Sequence, residues 1–361
     1  MLKQTRVFFV FFSLLIVLSL FWGCDDNPLS PENEPDKDYI VYMFETDHAG
    51  GHYYMGYHPA SGAIDTFTAE DSPHWTMKVS ADGRYMFVAA EDYVAKVDLQ
   101  SLQTVATLPY RTYHGMAVSP DNQYLALLTG PGIVVARVSD FTVQYEDTIL
   151  NFYNCTFSSD SKKIYGYVGF TYNIVTILDL ENDFSEFSME LPQGLALRSV
   201  VPSIDESKLF LITYYDMWFN RFEVYDVELD SIIFREWLWN GYNYIELSPD
   251  GEYAFYTEGG NEFDVNGSNY FTIYDIERNR IKMKVSTVGV EDGINPEFMA
   301  LGQMAITPDG KWLVIGESID CAAFIRFNMT TMQIDDYIQG EINESGIYME
   351  GYSCFTCQTI Q

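Results

Sequence analysis

A phrase that recurs six times, strand-length apolar runs around each copy, and a repeat of about 40 residues predict an all-β fold, a β-propeller of four-stranded antiparallel blades. Seven blades are expected, closed by the C-terminal strand, with six as the alternative. The phrase reads VSADGRYMFVA at 79, VSPDNQYLALL at 118, FSSDSKKIYGY at 157, PSIDESKLFLI at 202, LSPDGEYAFYT at 247 and ITPDGKWLVIG at 306. Its aligned acids are Asp82, Asp121, Asp160, Asp205, Asp250 and Asp309, spaced by 39, 39, 45, 45 and 59 residues.

Each phrase has the chemistry of a tight hairpin. Ser or Thr stands two before the acid, and the Asp-Gly pairs at 82, 250 and 309 are turn formers. Asp binds its own backbone, and Gly accepts positive φ. An apolar strand follows each turn. A third strand then ends in an acid or amide: YVAKVD to Asp98, IVTILD to Asp179, FEVYD to Asp226, FTIYD to Asp275 and FIRFN to Asn328. A fourth strand, such as TVATL or IKMKV, completes the unit.

The stretch SADGRYMFVAAEDYVAKVDLQSLQTVATL, residues 80–108, resembles the YVTN-type propeller repeat, as do SPDGEYAFYTE and NYFTIYDIERNRI. The resemblance implies the architecture over about 300 residues. Related propellers include scaffolds, binding proteins and a few enzymes, so it implies no single activity.

Before the first phrase, YIVYMFETD at 39–47 and HYYMGYHPASGAIDTF at 52–67 read as strands two to four of a blade without its first strand. The tail GYSCFTCQ at 351–358 resembles FYNCTFSSD at 152–160. It is expected to supply the missing strand and leave no free edge.

The N-terminus reads as a targeting segment. Lys3 and Arg6 precede an apolar run from Val7 to Trp22, and Gly23-Cys24 follows. A run of this length suits a signal-peptide core. Small-residue-then-Cys resembles the lipobox of bacterial lipoproteins, in which the Cys is lipidated. Phe21 and Trp22 depart from that pattern, and an uncleaved anchor or ordinary secretion are the alternatives. Residues 1–23 are thus expected to be a lipoprotein signal peptide, 24–37 an acidic tether and 38–361 the propeller. The expected location is the bacterial cell envelope, lipid-anchored, on the periplasmic or cell-surface side.

The net charge of −32 repels phosphate backbones, so no nucleic-acid partner is expected. The acid is dispersed, which suits solubility or the attraction of cations and basic partners. Besides Cys24, Cys155 and Cys354 occupy matching core positions, as small buried hydrophobes do. Cys354 and Cys357 form C-x-x-C. In an extended strand their Cα atoms lie about 10 Å apart, too far for a disulfide.

Antiparallel connectivity gives the ring two unlike faces. Turns between strands one and two, and three and four, share the first. Loops between strands two and three, and between blades, share the second, where recognition is expected. Three groups fall there. Trp75, His114, Tyr153, Arg198, Asn243 and Gly302, seven before each aligned Asp, are expected to ring the channel mouth, with Lys78 and Glu246 farther in. Tyr215, Asp216, Trp218, Phe219, Trp237, Trp239, Tyr242 and Tyr244 form an aromatic group suited to sugars or peptide side chains. Of these, Trp237 is expected to pack between blades and Trp218 to be exposed. The loops Glu258 to Asn269 and Gly289 to Ala300 complete the face as solvated polar segments. Asp47-His48-x-x-x-His52 has metal-ligand chemistry, but Ala-Gly-Gly between the histidines argues for a polar loop.

No nucleophile–base pair stands out, and no cofactor or metal is expected. The function these features indicate is a non-enzymatic binding or scaffold lipoprotein that recognises an envelope protein, glycan or small ligand. The alternative is a propeller-type hydrolase or lactonase, with His114 as general base and Arg198 stabilising negative charge.

Overall fold

The computed structural model describes residues 39–46, 52–58, 63–68, 73–90, 92–112, 115–130, 132–150, 152–168, 173–192, 196–216, 219–239, 243–258, 270–287, 301–307, 309–317, 323–339 and 356–359. The chain divides into two units, Met1–Lys37 and Asp38–Gln361. The first unit, with the expected signal peptide, tether and Cys24, lies outside the described residues.

The second unit is all-β. Its first strands are β1 (Tyr39–Thr46), β2 (His52–His58) and β3 (Ala63–Thr68). The Asp82 blade holds β4 (Pro73–Val79), β5 (Tyr85–Ala90), β6 (Val94–Asp98) and β7 (Gln103–Leu108). The Asp121 blade holds β8 (Gly115–Val118), β9 (Tyr124–Leu128), β10 (Ile133–Arg137) and β11 (Thr142–Asp147). The Asp160 blade holds β12 (Phe152–Phe157), β13 (Lys163–Val168), β14 (Ile174–Asp179) and β15 (Ser185–Glu190). The Asp205 blade holds β16 (Ala196–Pro202), β17 (Lys208–Tyr214), β18 (Phe219–Asp226) and β19 (Ser231–Trp239). The Asp250 blade holds β20 (Ile245–Leu247), β21 (Tyr253–Glu258), β22 (Tyr270–Asp275) and β23 (Arg280–Ser286). The Asp309 blade holds β24 (Leu301–Ile306), β25 (Trp312–Glu317), β26 (Ala323–Asn328) and β27 (Gln333–Gln339). The last strand is β28 (Thr356–Thr359).

Six four-stranded blades are thus built from consecutive strands, and a further four-stranded sheet has the order β28-β1-β2-β3. All pairings are antiparallel. The tail strand pairs Val41 with Cys357 and Tyr39 with Thr359, so it covers the free edge of β1. Cys354 lies outside the described residues. Inner strands approach one another in the cyclic order β28, β4, β8, β12, β16, β20, β24 and back to β28.

The six aligned acids make one repeated turn. In the Asp82 copy, Ser80 Oγ donates to Asp82 Oδ1 at 2.6 Å, and Arg84 N donates to the same oxygen at 3.1 Å. Tyr85 N returns to Ser80 Oγ at 2.9 Å. The Ser or Thr hydroxyl donates to the acid in every other copy as well: Asp121, Asp160, Asp205, Asp250 and Asp309. The residue after the acid has positive φ in all six: Gly83, Asn122, Ser161, Glu206, Gly251 and Gly310. The acid or amide ending strand three caps the next turn in the same way. Asp98 Oδ1 accepts from Ser101 N at 2.9 Å, and Asn328 Oδ1 accepts from Thr331 N at 2.8 Å.

The core is a series of clusters between blades. Phe87, Met116, Leu125 and Leu127 pack between the Asp82 and Asp121 blades. Phe210, Phe222, Tyr256 and Tyr274 pack between the Asp205 and Asp250 blades, with Phe222 and Tyr256 stacked at 3.9 Å. Cys155 is buried and free, in the apolar position its alignment indicates, and burial pushes its thiol up to about 12.

Candidate functional site

The outer corner of the Asp205 blade presents aromatic rings to solvent. β17 turns into β18 through a loop closed by local bonds: Asp216 Oδ1 accepts from Phe219 N at 2.8 Å, and Tyr215 N donates to Phe219 O at 3.2 Å. This turn holds Tyr215 over the end of β18. In the β18–β19 pairing, Arg221 lies opposite Trp237 and Phe219 opposite Trp239. The period-two pleat puts these four side chains on one face of the sheet.

They form a stack braced by a cation. The Arg221 guanidinium sits 4.0 Å from the Tyr215 ring centre and 4.3 Å from that of Trp237. Tyr215 meets Trp237 edge-on at 4.7 Å, and Phe219 lies 5.1 Å from Trp239. Tyr215 is 51% exposed and Trp237 50% exposed. Trp237 therefore does not pack between blades as expected. It stands on the outermost strand, where alternation chooses a face but, among the described residues, nothing covers half of its ring. Trp218, Tyr242 and the loop residues 259–269 and 289–300 lie outside the described residues. Tyr244 packs against the cluster between the Asp250 and Asp309 blades.

The expected ring at the channel mouth is distributed differently. Tyr153 packs against the apolar cluster between the Asp160 and Asp205 blades. The Arg198 guanidinium lies 4.9 Å from the Tyr214 ring, and its Nε is buried with no hydrogen-bond partner among the described residues. Burial lowers the Arg198 pKa. Asn243 accepts from Asn220 Nδ2 at 2.6 Å and donates to Thr257 O at 2.9 Å, crosslinking strands. The reason is a recurring irregularity. Register shifts fall between Pro73 and Met77, Phe152 and Asn154, Leu197 and Ser199, and Leu301 and Met304. Positions 75, 153, 198 and 302 sit inside these shifts, so counting back from the acid loses the facing of the side chain there. Trp75 and Gly302 are placed on their strands as backbone, and so are His52, His58 and His74. Asp47, His48 and His114 lie outside the described residues.

Lys78 and Glu246, nearer the acid, follow the regular alternation. Both are half-buried although their strands are the innermost of the ring, and Asn154, also on an inner strand, is exposed. Burial pushes the Glu246 carboxyl up to about 7, against the opposing pull of the Lys78 ammonium.

A further polar cluster was not foreseen from the sequence. Lys284 bridges Glu236 at 2.8 Å and Glu258 at 2.7 Å, and Thr272 donates to Glu258 at 3.0 Å. Its partners satisfy one another between strands, as a structural network does. Among the described residues no group of His, Cys, Asp and Glu has the arrangement of a metal site.

No family model and no curated protein matches this chain. Solved structures do. The fold is similar to hydrazine synthase from Kuenenia stuttgartiensis, with a TM-score of 0.60 at 15% identity over 75% of this chain and 88% of that one. It is similar to the β-propeller domain of Myceliophteria thermophila Cps50 (Swd1), with a TM-score of 0.58 at 11% identity over 75% and 88%. The fold is a β-propeller. A dihydro-heme d1 dehydrogenase, NirN, in complex with DHE is also similar, with a TM-score of 0.55 at 13% identity over 91% of this chain and 76% of that one. At such identities the likeness is one of architecture, and propellers of this kind carry different activities.

Proposed function

We propose that this chain is a non-enzymatic binding or scaffold lipoprotein of the bacterial cell envelope, recognising a glycan, an envelope protein or a small ligand through the loop-rich face of the propeller. One observation carries the reading: Tyr215 and Trp237 are held half-exposed with Arg221 between them. Rigid rings offer large contact area with little conformational entropy left to lose. The Arg221 cation fixes their orientation before a partner arrives. The N-terminal Lys3, Arg6, apolar run and Gly23-Cys24 support a lipid anchor.

The test is a glycan array and an envelope-peptide panel probed with the full chain, alongside the Tyr215→Ala/Trp237→Ala variant. At least a tenfold loss of affinity in the variant is expected, because exposed aromatic anchors dominate such contacts. Binding that survives the double substitution rules out this corner. The anchor is tested by Cys24→Ala, which should move the chain from the membrane fraction to the soluble one.

A further inference from the structure

The inner strands repeat one position four residues before each aligned acid. Its occupants are Lys78, Ala117, Thr156, Val201, Glu246 and Ala305. All six are half-buried. One is a cation, one an anion, and the other four are small or medium and uncharged. In the ring order, β24 and β28 separate β20 from β4 on one side, and β8, β12 and β16 on the other. The two charges thus stand at the same repeat position on the inner strands of blades that are not neighbours.

Among the described residues neither charge has a direct partner. Glu246 and Lys78 have no hydrogen-bond or ion-pair partner among the described residues, yet the Lys78 charge acts on both Glu246 and Cys155. Unpartnered charges in a recess are costly for the fold alone. Arg198, the other cation of these strands, is engaged with Tyr214. On the inner strands flanking β20, Val201 and Ala305 bring no charge to the same level.

We infer that the lumen binds a small zwitterion, an amino acid or short peptide, whose ammonium lies against Glu246 and whose carboxylate lies against Lys78. Ala117, Thr156 and Ala305 leave room for its backbone. The ligand gives each side chain a direct ion-pair partner, and it bridges two blades of the ring. The site is distinct from the aromatic corner, so each can fail without the other.

Calorimetry with glycine, diglycine, triglycine and tetraglycine on the full chain tests this, since the series varies only the separation of the two charges. At least one member should bind. Blocking either end, as the N-acetyl or the C-terminal amide, should weaken it at least tenfold. Glu246→Gln and Lys78→Met should each do the same, while Tyr215→Ala leaves it unchanged. A second readout uses the unaltered protein. Burial pushes the Glu246 carboxyl up to about 7, and an ammonium seated beside it favours the charged form. Titrations in two buffers of different ionisation enthalpy should therefore report net proton release on binding near neutral pH. Absence of binding by the whole series at millimolar concentration overturns the inference. So does binding that tolerates both blocked ends.

Discussion

Ser161 Oγ accepts a hydrogen bond from the backbone N–H of Asp121 at 2.9 Å, tying the turn of one blade to the turn of the blade before it. The link belongs to a series around the first face. Asn122 helps hold the Asp82 carboxyl below its ordinary value of 3.8, and Ser159 Oγ donates to Ile204 O at 2.9 Å. Asn122 and Ser161 both stand at positive φ, at 64° and 63°. Glycine would sit there without steric cost, but it has no side chain with which to reach the neighbouring blade.

Ser161→Ala should therefore destabilise the propeller by about 1–2 kcal/mol, by removing the acceptor for the Asp121 N–H while keeping a Cβ at positive φ. Ser161→Gly loses the same bond but relieves the backbone, so its loss should be smaller. Urea unfolding of the two variants decides the order. An alanine variant as stable as the parent would show that the blades do not need the link.

The Asp turns should set part of the acid limit of stability. The Ser203 hydroxyl donates to Asp205 Oδ1 at 2.7 Å, and Ser207 adds N–H and hydroxyl bonds at 3.1 and 2.8 Å. These hold the Asp205 carboxyl below its ordinary value of 3.8. A carboxyl lowered by folding stabilises the native state fully above its unfolded pKa, and the benefit fades as pH falls through the lower native value. Asp205→Asn should be less stable than the parent at pH 7, and the gap should close as pH drops below about 4. A gap that stays constant down to acid unfolding would mean that the charge contributes nothing.

What the sequence revealed follows the range of each interaction. The Asp turn is legible because Ser80, Asp82 and Arg84 bond within a few residues. Positive φ is legible at Gly83, Gly251 and Gly310, but not at Asn122 or Ser161, whose partners lie a blade away. Lys78 and Glu246 could be placed by alternation. Tyr153 and Arg198 could not, because a bulge adds a residue without a signature in composition. The tail's role as an edge partner was readable: the stretch 351–358 contains the start of β28, Thr356–Thr359, which pairs with β1, while residues 351–355 lie outside the described residues. Arg221 escaped notice because its meaning lies in the register that sets it opposite Trp237.

The aromatic corner should be nearly free of consequence for stability. Exposed cation–π pairs contribute about 0.5–1 kcal/mol each. Arg221→Met should therefore cost no more than about 1–2 kcal/mol while freeing the Trp237 ring. Acrylamide quenching of tryptophan emission should rise in Arg221→Met, and the increment should vanish when Trp237→Phe is added. Unchanged quenching would show that the guanidinium does not brace the ring.

On the same face of the Asp205 blade, closer to its centre, Glu223 is fully buried. Arg235 Nε donates to its Oε1, and Thr213 Oγ1 donates to its Oε2 at 3.1 Å. Arg235 itself is half-exposed, so its charge is only partly desolvated, whereas the carboxylate depends on it. Removing one partner of a buried pair costs about 3–5 kcal/mol because the other charge is stranded. Arg235→Met should fall near the lower end of that range, since water can approach from the arginine side. Glu223→Gln keeps an acceptor for Thr213 and strands only an exposed cation, so it should cost less. The asymmetry is the test. Equal losses in the two variants would mean that packing, not the stranded charge, sets the cost. A double variant, Glu223→Gln/Arg235→Met, should then regain part of what Arg235→Met loses, because no buried charge is left unpaired.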